Sequence, residues 1–360
     1  MSLILGIESS CDECSASVVR YGADEIKVLS LSTFSQIAIH QPYGGVVPEI
    51  ASRNHLETIN PMIETALAES GISPHDLDAI AVTNRPGLVG ALLVGVSAAK
   101  ALAYVHKKPL VAVHHLEGHA ASIYLRSENS TLGSRNDMQL PLLLAIVSGG
   151  HTNLYVIKAP PELWPPDFLK RSLVGKSRDD AAGEAFDKTA KILGFPYPGG
   201  IWIDRTAKGG DPNRFPLPRA LPQKATFDFS FSGFKTAVAL LAEKLKREGT
   251  LEENLSHLCA SIQEAIVDAL LTKIFLAARA NGCRSLAIVG GVAANSRLRE
   301  RLAAEWHLHG FKVPPFFPEM TFCTDNAAMI AAAGAFRFRQ GHFLKEADLL
   351  TLNAIANPEI

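Results

Sequence analysis

The stretch LILGIESSCDECSASVVR, Leu3–Arg20, is a short apolar run that ends in a polar turn and resumes as an alternating run, the pattern of a β-hairpin. LLLAIVSGGHTNLYVI, Leu142–Ile157, repeats it with a Gly-rich polar tip. Two such hairpins, one at the head of each half, point to an internal duplication. After each of them the periodicity changes. In the first half helices are expected over His55–Ser70 and Leu88–His106, with strands over Leu77–Thr83 and Pro109–His114. In the second half the expected helices are Asp179–Leu193, Leu255–Ala280, Asn295–Trp306 and Asn326–Arg339, and the strands are Ser285–Val289 and Phe311–Pro314. Strands alternating with helices mean an α/β fold with a largely parallel sheet, to which the hairpins add antiparallel edges. Two segments leave this plan. The polar Ser127–Gln139 reads as a linker between the halves, and the Pro-rich Ala159–Phe168 as a surface loop that cannot pair regularly.

With 360 residues, 47% of them hydrophobic and 20% charged, the chain can bury a sizeable core as an ordinary globular protein of two lobes. Its 35 basic and 36 acidic residues nearly cancel, so binding to nucleic acid would need a local basic patch. Lys170–Arg178 and Arg297–Arg301 are such clusters, readable either as phosphate contacts or as solvated faces. The five scattered cysteines argue against a disulfide framework and for a reducing compartment, the cytoplasm. The start of the chain lacks the pattern of a signal or transit peptide. The apolar stretch LVGALLVGVSAAKALAYV is broken by Gly, Ser and Lys and reads as a buried helix rather than a membrane span.

In VHHLEGHAAS, Val113–Ser122, His115 and His119 are four residues apart, so on a helix they lie ~40 degrees apart, a spacing suited to two imidazoles on one metal. Glu117 falls ~200 degrees from both and cannot be the base that follows the first His of a zinc peptidase motif. An ordinary helix holding two histidines remains the plainer alternative. Gly118 speaks for close backbone approach there, and the pair directly follows a strand, where α/β folds gather ligands. A third ligand is available in FCTDNAAMIAAAG, where Asp325 precedes a helix; its plainer role is an N-cap. Two His and one carboxylate suit zinc or iron(II) with open positions.

The two hairpin tips and VGGVAAN, Val289–Asn295, are Gly- or Ser-rich turns able to present backbone N–H groups to phosphate, or simply tight turns. None is a P-loop, since Lys170 stands where the first Gly before Gly175-Lys176-Ser177 belongs. Cys11 and Cys14 form a C-x-x-C with a weak redox reading, because the carboxylates between them disfavour thiolate. Ser10, Asp12 and Glu13 are better taken as a candidate phosphate or metal pocket, against a solvated turn.

Taken together, GIESSCDE, YGGVVPEIASRNH, PGLVGALLVG, HHLEGH, IVSGGHT, DDAAGEAFDK, YPGG, FDFSFSGFKTAV, GGVAANSRLR and CTDN stand in the order of one family. The chain resembles the tRNA N6-adenosine threonylcarbamoyltransferases (TsaD), once described as O-sialoglycoprotein endopeptidases, over nearly its whole length. The resemblance implies an actin-like ATPase (ASKHA) fold of two duplicated lobes around a nucleotide cleft. Lobe I would be 1–134, with a helix at about 325–345 returning to it, and lobe II 135–324. It further implies transfer of the threonylcarbamoyl group from threonylcarbamoyl-AMP to N6 of adenosine 37 in tRNAs reading ANN codons, with release of AMP.

By the same resemblance His115, His119 and Asp325 hold one divalent metal, Fe(II) or alternatively Zn(II). Ile146, Val147, Ser148, Gly149, Gly150, Asp187, Gly200, Asp204 and Asn295 match positions that bind the adenylate, and ATP or another adenine nucleotide would fit the same cleft. No catalytic side chain stands out. The implied partners are tRNA, a small inactive paralogue (TsaB-like) and a P-loop ATPase (TsaE-like), with no membrane. The chain departs from the family at Cys14, where Thr is usual, at Arg85, where a small residue precedes PGL, and at Ala327, where Gly follows CTDN. Loss of the Thr hydroxyl at position 14 bears on ligand contacts near the first tip. Two other functions stay open: a metallopeptidase, and a nucleotide-binding scaffold without its own chemistry.

Overall fold

The structure is a computed structural model that describes residues 1–22, 25–127, 130, 137–219 and 226–357. Most of the expected linker Ser127–Gln139 lies outside them. The chain divides into two compact units, Met1–Arg135 with Ala159–Lys170 and Pro318–Ile360, and Asn136–Lys158 with Arg171–Phe317.

The first unit contains β1 (Ser2–Glu8), β2 (Glu13–Tyr21), β3 (Ile26–Ser35), α1 (Ile37–His40), α2 (Pro48–Ser70), β4 (Ala79–Arg85), α3 (Val89–His106), β5 (Leu110–His114), α4 (His115–Ala121) and β6 (Leu125–Arg126). In the remaining chain follow β7 (Leu142–Val147), β8 (Thr152–Ile157), α5 (Phe168–Ser172), β9 (Leu173–Lys176), α6 (Ala182–Ile192), α7 (Gly199–Thr206), α8 (Ser232–Arg247), α9 (Leu251–Ala280), β10 (Ser285–Val289), α10 (Ser296–Glu305) and α11 (Ala327–Arg339), the last returning to the first unit.

The first sheet runs β5-β4-β1-β2-β3-β6 and the second β10-β7-β8-β9. In each, the hairpin's first strand pairs in parallel with a later strand, and antiparallel with its own partner. A third antiparallel strand, β3 or β9, extends the hairpin. The sheets are therefore mixed rather than largely parallel, and the first hairpin sits inside its sheet instead of edging it. The expected strand Phe311–Pro314 does not form, because Pro314 and Pro315 cannot donate to a ladder; a single bridge from Phe316 to Ala287 remains.

The core of the first unit packs Leu5, Ile7, Ile80 and Val82 of the sheet against Ile59, Ile63, Val96 and Ala99 of α2 and α3. α3 is only half-buried: Ala91, Leu92, Val96 and Ala99 face inward, while Val89, Leu93, Tyr104 and Val105 are exposed. On the other sheet face lies α11, whose small residues allow very close approach. A Cβ on Gly6 would lie 2.2 Å from the Ala327 carbonyl oxygen, and one on Gly334 2.3 Å from the Ala81 Cβ. The Pro-rich excursion is more than a surface loop, since Trp164 and Phe168 are buried, stack at 4.2 Å and meet Phe336 of α11 edge-on. Aromatic burial there holds a segment that its prolines keep out of any sheet.

Candidate functional site

Strand β5 runs straight into α4, so the chain turns from extended to helical immediately before the histidine pair. His114 caps the helix, its Nδ1 accepting the Leu116 N–H at 3.2 Å. His115 and His119 are buried one turn apart, with ring centroids 4.8 Å apart. Asp325 comes from the turn before α11. Its Oδ1 is 3.5 Å from His115 Nε2 and 3.2 Å from His119 Nε2. The cap of α11 is Asn326 rather than Asp325, with Asn326 Oδ1 accepting the Met329 N–H at 3.0 Å. The Asp325 carboxylate is thereby left to face the imidazoles.

One donor atom from each of these three residues lies within 4.8 Å of the others. Among the described residues neither buried ring nitrogen of His119 finds a hydrogen-bond partner, a costly state that a metal ion on the Asp325 side would relieve at Nε2. Burial favours neutral His115, but the Asp325 and Glu8 carboxylates facing it outweigh that and push its pKa up to about 9. The negative field that holds a proton there equally favours a bound cation. The donor set thus fits a divalent metal.

Glu8, at the end of β1, is fully buried and lies 3.0 Å from His115 Nδ1 through Oε2. Burial opposes its ionisation, yet the His115 imidazole and its hydrogen bond hold the carboxyl below the usual range. Ser10 Oγ is 3.2 Å from the same His115 nitrogen. Of the other tip residues, Asp12 is buried, and Glu13 accepts from Ser35 Oγ at 3.0 Å. Burial and the neighbouring Asp12 carboxylate raise Glu13 to about 9.

Raised thiols speak against the redox reading of Cys11 and Cys14. Burial, then Asp12, raises the Cys11 thiol, and burial pushes Cys14 up to about 11. Cys14 also belongs to the core cluster that contains Ile59 and Ile63. Ala327 starts α11 and donates its N–H to Ser15 Oγ at 3.1 Å, a helical position that accepts Ala.

Glu117 points away from the pair, as the spacing requires. It is buried and holds Arg337 of α11 in a two-pronged pair at 2.8 and 2.7 Å. A carboxylate so engaged cannot serve as a base at the histidines. Arg85, half-buried at the end of β4, also feels Glu117 and Arg337. Between Glu117 and His119, a Cβ on Gly118 would lie 2.6 Å from Ile330 Cδ1, so glycine lets α4 press against α11.

The other expected residues gather in the second unit. Ile146 and Val147 end β7; Ser148 closes the tip, its N–H donating to the His151 carbonyl at 2.8 Å. Gly149 and Gly150 are exposed. Gly290, at φ +92, brings the VGGVAAN turn beside this tip, where a Cβ would lie 2.5 Å from the Val147 carbonyl oxygen. Asp187 Oδ1 accepts the Gly199 and Gly200 N–H groups at 2.7 and 3.3 Å, capping α7. Asp204 Oδ1 accepts from Ser296 Oγ at 2.6 Å, from Asn295 Nδ2 at 3.3 Å and from the buried Gln263 Nε2. Asn295 itself caps α10 through Leu298 N–H at 3.0 Å.

The structure therefore joins Asp204 to Asn295, and Asp187 to Gly200, within one unit. Glu8, Gln263, Ser296 and Arg337 escaped the sequence reading; each is a polar residue whose partner is distant in the chain. In the basic cluster Arg297–Arg301, Arg297 and Arg301 pair with Glu264, Asp268, Glu300 and Glu305.

The chain is similar to proteins already known. The family model described as TsaD, tRNA N6-adenosine threonylcarbamoyltransferase, matches residues 27–332. Proteins named tRNA N6-adenosine threonylcarbamoyltransferase are similar across almost the full chain. That of Listeria innocua is 47% identical over 94% of this chain and 92% of its own. That of Syntrophobacter fumaroxidans is 49% identical over 96% and 98%, and that of Anaeromyxobacter dehalogenans 50% over 95% and 96%. In fold, the chain is similar to component A of Acidaminococcus fermentans (R)-2-hydroxyglutaryl-CoA dehydratase, with a TM-score of 0.53 and 13% identity over 94% of this chain and 100% of that one. The activator of Clostridium difficile 2-hydroxyisocaproyl-CoA dehydratase gives 0.52 and 13% over 94% and 96%. Both carry the actin-like ATPase fold, which this chain shares. By its motifs and by this similarity, the chain belongs to the tRNA N6-adenosine threonylcarbamoyltransferase family.

Proposed function

We propose that this protein transfers the threonylcarbamoyl group of threonylcarbamoyl-AMP to N6 of adenosine 37 in tRNAs reading ANN codons. The observation that carries the reading is the near-full-length similarity to transferases of that name, at 47% to 50% identity. The set of buried His115 and His119 with the half-buried Asp325 supports it.

In the reaction the N6 amine attacks the carbamoyl carbon, a C–N bond forms, and the C–O bond to the AMP phosphate breaks. AMP leaves with the electron pair, and the amine loses a proton. His115, His119 and Asp325 would hold one divalent metal, Fe(II) with Zn(II) as the alternative. When bound, that ion supplies positive charge against oxygen as negative charge develops. Gly149 and Gly150 leave an open backbone turn for the adenylate phosphate, while Asp187 and Asp204 fix the helix starts carrying Gly200 and Asn295 around it. ATP or another adenine nucleotide would use the same groups. No side-chain nucleophile is needed.

The protein would act in the cytoplasm, with a small paralogue and a P-loop ATPase as partners and a separate synthase supplying the adenylate. Reconstitution with tRNA, threonine, bicarbonate, ATP and these partners, read by mass spectrometry of nucleosides, tests it. Modified adenosine should form with the wild type and fail with Asp325→Ala. Equal yield from Asp325→Ala would leave a scaffold role. Glycoprotein cleavage abolished by His115→Ala would revive a peptidase, against which the engaged Glu117 argues.

A further inference from the structure

The two histidines differ on the side away from Asp325. Among the described residues His119 Nδ1 is buried without a partner, whereas His115 Nδ1 meets a built acceptor. That acceptor, Glu8, comes from a strand 107 residues earlier and is itself held on both oxygens. Ser10 N–H donates to Oε1 at 2.6 Å, and Thr83 Oγ1 donates to Oε2 at 2.7 Å. Glu8, Thr83 and Ser10 are all buried, at 0%, 0% and 3% exposure, so water does not compete for these bonds. A carboxylate placed in this way has one geometric consequence. It requires a proton on His115 Nδ1 and turns the lone pair of Nε2, the nitrogen 3.5 Å from Asp325, toward the donor set.

We infer that Glu8 is a positioning residue of the metal centre, which fixes the tautomer and ring orientation of His115 through Nδ1 while touching neither metal nor substrate. The inference rests on the metal reading above and extends it to a residue outside the donor set. A carboxylate behind a ligating imidazole fixes the ring and raises its basicity, and loss of such a partner typically weakens metal binding by about 10–100-fold. The two imidazoles are then unequal. His115 is aimed in advance by β1 and β4, and His119 is aimed only by the packing of α4.

The test compares the wild type with Glu8→Gln, which keeps side-chain volume but replaces one acceptor oxygen by a donor. Zinc(II) affinity is measured by competition with a chromophoric chelator, and the absorption bands of the cobalt(II)-loaded protein report ligand geometry. Glu8→Gln should bind zinc about 10–100-fold more weakly and shift the cobalt bands. A second measurement needs no variant. In zinc-loaded wild type with ¹⁵N-labelled histidine, His115 should carry its proton on Nδ1 and be metallated at Nε2.

Zinc affinity of Glu8→Gln equal to wild type, or metallation of His115 at Nδ1, overturns the assignment while leaving the metal centre standing. Wild-type affinity no tighter than that of His119→Ala overturns the metal centre itself, and Glu8's role with it.

Discussion

At the tip of the first hairpin Ser9, Ser10 and Asp12 are buried, and Ser10 reaches both Glu8 and His115. At the tip of the second, Gly149 and Gly150 are exposed, and a Cβ on either would meet nothing within 4 Å. The same strand–turn–strand pattern has thus been put to opposite uses. The first tip is wired into a charged interior that aims side chains, and the second keeps its backbone open. Duplication explains the shared topology, and the side chains at the turns explain the divergence. Polar residues capable of mutual pairing were drawn inward, while glycines leave peptide groups accessible.

The largest expected effect lies on the buried side. Asp325→Ala should lower the rate of tRNA modification by on the order of 100-fold or more, with metal content falling in parallel by elemental analysis. Full activity with metal lost would break the comparison, since the buried tip would then support nothing catalytic.

Next comes the clasp behind α4. Arg337→Ala leaves the Glu117 carboxylate buried without its guanidinium and should cost about 3–5 kcal/mol of unfolding free energy in denaturant titrations. Adding Glu117→Gln should restore part of that loss, and no restoration would mean that the pair does not tie α4 to α11.

The two glycine environments sharpen the contrast further. Gly290→Ala combines a positive φ with a Cβ close to the Val147 carbonyl oxygen and should cost about 1–3 kcal/mol. Gly149→Ala should leave stability within about 0.5 kcal/mol and instead raise KM for the adenylate. A large stability loss at Gly149 would show that the second tip is not open.

The smallest effect concerns the thiols of the first tip. Their pKa values are raised, so the neutral thiol persists at pH 7, and thiolate at Cys14 appears only as pH climbs toward about 11. Iodoacetamide should therefore leave Cys11 and Cys14 of the folded protein unlabelled at pH 7 by mass spectrometry and label both after unfolding. Rapid labelling of the native protein would mean that the tip is wet.

Much of this was legible in the residues. The hairpins β1–β2 and β7–β8 announced themselves because apolar and alternating runs flank a turn, and α4 because two histidines and a glycine follow an apolar strand. Other elements were not. Strand β3 mixes Ser and Thr with its apolar residues, α2 begins at Pro48 rather than His55, and Pro314 and Pro315 cancel a strand that composition suggested. In the site, Asp325 was legible as a carboxylate before a helix that could complete the histidine pair, and the resemblance then named it a ligand. Glu8 looked like the start of a turn, because its partners Thr83 and His115 are 75 and 107 residues away, beyond any local pattern. Gln263 was hidden within a long helix whose other buried residues are mostly apolar.

The return of α11 to the first sheet also sets a clock. Asp325 leaves the ribosome some ~10–40 s after His119 at ~5–20 residues per second, so a growing chain presents two imidazoles for that time without their carboxylate. The surface around Gly6 and Ala81, against which α11 packs, is bare over the same interval. A cation captured early would meet only two of the three donor residues.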